Sequence, residues 1–237
     1  MKIALFGYGK MGKTIERIAI QRGHEIVLKI DIDTKVPNLS IADIAIDFST
    51  PNVAFENINT CFTSGVPVVS GTTGWLENYD QAVQNCKISN GAFIYASNYS
   101  LGVNLFFELN KKLAALMHSF KEYTISMEEI HHTEKLDAPS GTAISLAEGI
   151  IKVTDKESWS LGVTNTVNEV PIIAKRIENV SGTHTISYTS EVDKIEIKHT
   201  ANSRDGFALG AVIAAEWLCD KKGIFSMKDV LGIASEK

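Results

Sequence analysis

Residues 129–143 read Glu-Ile-His-His-Thr-Glu-Lys-Leu-Asp-Ala-Pro-Ser-Gly-Thr-Ala, and no other stretch of the chain concentrates as much chemistry. His131, His132 and Lys135 bring two imidazoles and an ammonium into one short segment. Imidazole moves protons near neutral pH. An ammonium donates a proton or holds a carboxylate. The Ser140-Gly141-Thr142 turn then opens an apolar helix. Backbone N–H groups at such a start face whatever lies ahead of the helix, a setting that suits an anion. The segment reads as a proton donor beside a carboxylate cradle.

A second constellation opens the chain. The apolar run Met1–Phe6 is followed at once by Gly7-Tyr8-Gly9-Lys10-Met11-Gly12, which spells GxGxxG. A helical pattern follows, with Met11, Ile15, Ile18 and Ala19 on one face. A second apolar run, Ile26–Ile30, ends in Asp31. That acid stands about 20 residues beyond the glycines, where a ribose-binding carboxylate is expected. Glycine turns are common, but strand, glycine loop, helix, strand and terminal acid in this order point to a dinucleotide. The competing reading is an ordinary βαβ turn without a ligand.

These residues need elements to position them. Through residue 100 the pattern alternates strand and helix, which predicts a parallel sheet with right-handed crossovers and ligands at the carboxyl ends of its strands. Strands are expected at 42–48, 67–70 and 92–96, and helices from Pro51 to about Thr63 and from about Trp75 to Cys86. Small polar residues mark three strand ends, at 7–12, 71–74 and 96–100. From Val103 the pattern changes. A helix over 103–117 precedes a strand over 123–129, and Thr142 to about Lys152 forms another helix. The signal from Val170 to Ala201 is β, clearest in a hairpin of 185–189 and 195–200. Gly206 to Cys219 is a last helix, small on one face. The expected architecture is α/β: a Rossmann-type doubly wound parallel sheet plus an α+β substrate domain with a mixed or open sheet. Its domains would be 1–102 with 205–237, and 103–204, hinged near 99–103 and 203–207. The Ile and Tyr face of the hairpin leaves two readings open, packing on its own helices or sheet-to-sheet association between subunits.

Composition narrows the function classes. A chain of 237 residues with 44% hydrophobic content buries a real core. A net charge of −5 without a basic block argues against a nucleic-acid partner. Cys61, Cys86 and Cys219 form neither a zinc pattern nor a disulfide framework. The chain starts on a strand, and no run approaches the ~20 apolar residues of a membrane span, so a soluble cytoplasmic protein without a membrane partner is expected. No metal is expected either: adjacent His131 and His132 on a strand would point to opposite faces, which makes joint ligation awkward. His24, His118 and His199 read as surface or structural, and His184 is left open.

The string His131-His132-x-x-Lys135-x-Asp137-Ala138-Pro139-Ser140-Gly141-Thr142-Ala143 resembles the signature of the 4-hydroxy-tetrahydrodipicolinate (dihydrodipicolinate) reductase family. Further blocks resemble it in order and spacing: Lys10-Met11-Gly12, Asp47-Phe48-Ser49, Gly71-Thr72-Thr73-Gly74, Asn98-Tyr99-Ser100-x-Gly102-Val103-Asn104 and His199-x-Ala201-x-Ser203-Arg204-x-x-Phe207-Ala208-x-Gly210-Ala211. The resemblance implies an oxidoreductase of lysine and diaminopimelate biosynthesis, hydride transfer from NADH or NADPH to a cyclic dicarboxylate imine, and a cytoplasmic homotetramer assembled through the second-domain sheet. It implies His131 as proton donor or acceptor and Lys135 as proton donor. It places His132 with the Ser140-Gly141-Thr142 turn at the substrate carboxylates. Gly7, Tyr8, Gly9, Lys10, Met11, Gly12, Asp31, Gly71, Thr72, Thr73, Ala96, Ser97, Asn98, Tyr99, Arg204 and Phe207 take the cofactor positions.

The chain departs from the family pattern in places. Its glycine loop is one residue shorter, and the stretch from Asp31 to Ala42 is short. Ile32 and Asp33 follow Asp31 where an arginine would hold a 2′-phosphate, and an acid there favours the free 2′-OH. Lys35 would substitute partly, so the lean is to NADH with dual use open. Arg176 lies in a divergent segment and is given no role. Two other readings compete: a different two-domain nicotinamide enzyme, such as a semialdehyde or homoserine dehydrogenase, and a nucleotide-sensing regulator. No cysteine is placed as the nucleophile that a phosphorylating semialdehyde dehydrogenase needs.

Overall fold

The computed structural model describes residues 1–31, 38–203 and 205–233. In chain order the elements are β1 (Lys2–Phe6), α1 (Lys10–Gln21), β2 (Glu25–Ile30), β3 (Ile44–Asp47), α2 (Pro51–Thr63), β4 (Val68–Ser70), α3 (Tyr79–Ile88), β5 (Ala92–Tyr95), α4 (Leu101–Met117), β6 (Thr124–His131), α5 (Gly141–Ile151), β7 (Ser158–Leu161), β8 (Glu169–Arg176), β9 (Thr183–Thr189), β10 (Lys194–Thr200), α6 (Asp205–Leu218), β11 (Gly223–Phe225) and α7 (Met227–Val230). The chain divides into two units, 1–104 with 205–237 and 105–204. Ile32, Asp33, Lys35 and Arg204 lie outside the described residues.

The first unit is built on a six-stranded sheet in the order β11-β5-β4-β3-β1-β2, and its pairings are parallel throughout. Alternation along β1 explains its two-sided burial. Ile3 and Leu5 join a core with Ile15, Ile18 and Ala19 of α1 and the small face of α6. Ala4 and Phe6 join another with Ala54, Ile58 and Phe62 of α2 and Ala82 of α3. Both sheet faces are therefore covered by helices, as a parallel sheet requires. β1 pairs with β2 on one side and β3 on the other. The strand order thus reverses at β1, and open α/β sheets bind ligands beside such a switch point.

Two expectations are refined. The helix expected from Trp75 begins at Tyr79, after a short 3-10 turn at Leu76–Asn78. Gly74 sits at φ +80, and the buried Trp75 donates its indole N–H to the Thr72 carbonyl at 2.7 Å, so this residue anchors the turn rather than the helix. The strand β11 extends the sheet beyond β5 although it was not expected from the sequence.

The second unit carries a five-stranded mixed sheet, β10-β9-β6-β8-β7. β6 is parallel to β8 and antiparallel to β9. Ile125 and Met127 of β6, Ile186 and Tyr188 of β9, and Val170 and Ile172 of β8 pack with Phe106 and Ala114 of α4 and with Ala143, Leu146, Ala147 and Ile150 of α5. Ile186 and Tyr188 are thus covered within their own unit, whereas Ile195 of β10, opposite Tyr188, stays exposed.

Candidate active site

The alternation that buries Ile125 and Met127 continues to Glu129 and His131, so β6 carries its apolar face directly into a buried acid and an imidazole. The neighbouring strands do the same. Register places His184 of β9 opposite Glu129 and Arg176 of β8 opposite His131. One sheet face changes from apolar to polar at the carboxyl end of β6.

Glu129 is fully buried. The Ser140 amide donates to both of its oxygens at 3.1 Å. The Arg176 guanidinium lies 3.4 Å from Oε1. His131 Nδ1 stands 3.3 Å from Oε2, an ion-pair separation without a hydrogen bond. Burial pushes the Glu129 carboxyl up, but His131 and the Ser140 donors outweigh it and hold it at about 2. His184 Nε2 lies 3.2 Å from Ser140 Oγ and 3.8 Å from Glu129. Burial and the neighbouring His131 push His184 down to about 4, so it is neutral at physiological pH.

The loop after β6 carries the remaining groups. His132, one residue past the strand, is half-buried, and its carbonyl accepts the Lys135 amide at 3.2 Å. Lys135 Nζ donates to both Asp137 oxygens at 2.7 and 2.8 Å, which lowers the Asp137 carboxyl. Arg176 fastens this loop from below, donating to the carbonyls of Lys135 at 3.2 Å and Asp137 at 2.7 Å. Ser140 is the N-cap of α5, its Oγ accepting the Ala143 amide at 3.2 Å. A helix offers the amides of Gly141 and Thr142 no acceptor of its own, and the space at Gly141 is open. The structure therefore brings His131, Ser140 and, through the Arg176 clamp, Lys135 around Glu129.

Sequence reasoning gave Glu129, His184 and Arg176 no function. The alternation Ile125-Met127-Glu129-His131 was the available signal for Glu129. The other two depend on strand register. Glu129, His131 and His184 offer ligand atoms within 4.8 Å of one another, the spacing of a metal set. The Arg176 guanidinium approaches Oε1 of that carboxylate and the Ser140 amide both oxygens, while the two imidazoles approach Oε2.

In the first unit the parallel sheet brings the carboxyl ends of its strands to one edge. Gly7 has φ +84, and a Cβ there would meet the Phe48 carbonyl at 2.1 Å. A Cβ at Gly12 would lie 2.2 Å from the Gly7 carbonyl, whereas Gly9 faces open space. Gly7 and Gly12 thus shape the turn, and Gly9 leaves room for close approach. Gly9 caps α1 without a side-chain hydrogen bond, and the first turn holds no acid. Lys10 and Met11 begin that helix, Lys10 exposed and Met11 half-buried. Tyr8 leans away to Glu16 and Lys29, with Lys29 Nζ 3.0 Å from its hydroxyl. Asp31 follows β2 and is exposed.

The other loops are tied by a buried acid. Asp47 accepts from Ser49 Oγ at 2.6 Å, Asn57 at 3.2 Å, Ser70 Oγ at 2.8 Å and Thr72 Oγ1 at 2.8 Å. Burial raises its carboxyl nonetheless. Thr72 is buried in this network, while Thr73 is exposed and Gly71 packs on the Phe48 ring. Ala96 and Asn98 are half-buried and Ser97 is exposed. Tyr99 is buried, with its hydroxyl donating to the Ser70 carbonyl at 2.8 Å, so it meets any ligand through its backbone alone. Phe207 stands half-buried in the first turn of α6. The glycine cradle, the uncapped helix start and the acid after β2 fit a dinucleotide.

A Rossmann-type sheet with a glycine-rich turn at its switch point, together with a mixed-sheet unit bearing imidazoles and an ammonium, fits a nicotinamide-dependent oxidoreductase of two units. The comparisons narrow the class. Family models match residues 1–99 (dihydrodipicolinate reductase, N-terminus) and 102–231 (dihydrodipicolinate reductase, C-terminus). A protein of Christiangramia forsetii called 4-hydroxy-tetrahydrodipicolinate reductase is 58% identical over 234 residues, 98% of each chain. The chain belongs to the dihydrodipicolinate reductase family. Among solved structures, the dipicolinate-bound dihydrodipicolinate reductase of Paenisporosarcina sp. TG-14 has the same fold, with TM-score 0.78 and 23% identity over 95% of this chain and 97% of that one. The WlbA dehydrogenase of Bordetella pertussis, in complex with NADH and UDP-GlcNAcA, shares the fold more distantly, with TM-score 0.52 and 12% identity over 92% and 95%.

Proposed function

We propose that this chain reduces 4-hydroxy-tetrahydrodipicolinate to tetrahydrodipicolinate with NADH or NADPH, in lysine and diaminopimelate biosynthesis. Substrate and product differ by a hydroxyl replaced with hydrogen, so the reaction consumes a hydride and a proton and releases water. The observation that carries this reading is the match to both family models, joined to a proton donor and an anion cradle on one loop and helix start.

When bound, the cofactor supplies the hydride. Gly7, Tyr8, Gly9, Lys10, Met11 and Gly12 would hold its pyrophosphate, and Asp31 its adenosine ribose. Gly71, Thr72, Thr73 and the backbone of 96–99 would line its remaining length, with Arg204 and Phe207 as further contacts. On the second unit, the Gly141 and Thr142 amides and the His132 imidazole would receive the substrate carboxylates. Lys135 would give the proton, with Asp137 holding the ammonium until substrate arrives. His131 would serve as the second proton carrier, with the Glu129 carboxylate 3.3 Å from its Nδ1.

Asp31 accepts from a 2′-OH and repels a 2′-phosphate, which favours NADH. The homotetramer is carried over from the family resemblance. Ile186 and Tyr188 are covered by α4 and α5 residues, and Ile195 is the exposed apolar residue of that hairpin face. Sedimentation of the purified chain tests the tetramer.

The deciding experiment follows NADH and NADPH oxidation with substrate made in situ from pyruvate and aspartate semialdehyde by the preceding synthase. Oxidation that requires the synthase is expected. A folded sample that binds NADH but oxidises neither cofactor would reassign the chain to nucleotide sensing.

A further inference from the structure

We propose that Glu129 is the positioning residue of the substrate unit, one buried carboxylate that fixes the place of His131 relative to the amide cradle at the start of α5 and puts a negative charge beside its ring. The proposal rests on the reading of His131 as a proton carrier and of Gly141-Thr142 as an anion site.

Three observations carry it. Glu129 shares a strand face with His131 two residues on, so Oε2 approaches Nδ1 at 3.3 Å without any loop intervening. The same carboxylate takes the Ser140 amide with both oxygens at 3.1 Å, and Ser140 is the cap from which the helix start projects. Its remaining neighbours come from two other strands: Arg176 of β8 at 3.4 Å and His184 of β9 at 3.8 Å. Lys135 and Asp137 stand on the loop that Arg176 clamps.

A core position this deep is expensive for a charge unless donors surround it. A glutamine would fill nearly the same volume and keep one oxygen for the Ser140 amide. What a glutamine lacks is the negative charge beside His131. A carboxylate beside an imidazole favours the charged ring, and a neutral amide does not. The guanidinium of Arg176 acts in the opposite sense on the same pair. Neutral His184 adds no charge and supports the geometry through Ser140 Oγ.

The test compares pH profiles of kcat/KM for the wild type, Glu129→Gln and Arg176→Met, in the coupled assay with NADH. Glu129→Gln is expected to lower kcat/KM roughly 10- to 100-fold and to move the falling limb at high pH downward by about one unit. Arg176→Met is expected to move that limb upward. NADH affinity should stay within about twofold in both, since the cofactor positions other than Arg204 belong to the other unit. NMR titration of the His131 ring should shift in the same two directions. Limbs that stay in place while melting temperature falls would reduce Glu129 to a structural residue and overturn the proposal. Should Glu129→Gln fail to fold, the upward shift in Arg176→Met carries the test alone, and its absence overturns the proposal. A His131→Asn variant separates the two levels of inference. Wild-type turnover there removes His131 from the reaction, whereas loss in His131→Asn beside an unperturbed Glu129→Gln removes only the positioning role.

Discussion

A Cβ placed on Gly210 would lie 1.7 Å from the carbonyl oxygen of Tyr99. α6 therefore meets the end of the fifth-strand loop backbone to backbone, and Ala208, Ala211, Ala214 and Ala215 continue the same close seam. The helix holds in place the loop that ends in Asn98 and Tyr99.

Gly210→Ala tests that contact. Alanine in a helix gains up to about 1 kcal/mol over glycine from intrinsic propensity. Here the added methyl meets a carbonyl that cannot rotate away, so overpacking wins, at about 3 kcal/mol of lost stability. A melting temperature at or above wild type would show that α6 has room to shift.

Lys135→Ala should separate chemistry from cofactor binding. The variant is expected to lose about 100-fold or more in kcat while its NADH dissociation constant stays within about twofold by fluorescence titration. Equal losses in both would remove Lys135 from the proton-donor role.

Asp31→Ser addresses cofactor choice. It removes the carboxylate that favours a free 2′-OH and repels a phosphate. The ratio of kcat/KM for NADH over NADPH should fall by about tenfold, measured in the same coupled assay. A ratio that does not move would place the discrimination elsewhere.

Acid stability should depend on His184. Its folded pKa of about 4 lies below the ordinary value of 6.5, so the folded chain binds fewer protons than the unfolded chain between these values. The stability this contributes is complete above about pH 6.5 and is lost as pH falls toward 4, up to about 3 kcal/mol. Glu129, at about 2 against 4.5, acts in the same sense at lower pH. His184→Asn, compared with wild type from pH 7 to 4 by thermal melting, should flatten the upper part of this decline. Parallel curves for the two proteins would show that His184 does not carry it.

Much of this architecture was legible residue by residue. The run Ile3–Phe6 followed by GxGxxG and an amphipathic helix announced β1, the turn and α1, because alternation and the 3.6-residue period are local properties. Pro51 marked the start of α2 for a similarly local reason. Ser158–Leu161 and Gly223–Phe225 were missed because short strands carry no period of their own, and neither lies in the strand–helix alternation of the first hundred residues that marked the equally short β3, β4 and β5. Both exist because a neighbouring strand offers its edge, β8 to the former and β5 to the latter.

By itself the sequence determined the chemistry available: His131, Lys135 and the Ser140 cap on one segment, a dinucleotide loop on another, and the family to which they belong. Tertiary structure alone decided what surrounds that chemistry. Arg176 and His184 lie far from Glu129 along the chain, and only the register of β8 and β9 against β6 sets them around it. Pairing in a sheet joins residues distant in sequence and fixes which face each shares. A buried carboxylate gains its charge state from those neighbours, and no local pattern records them.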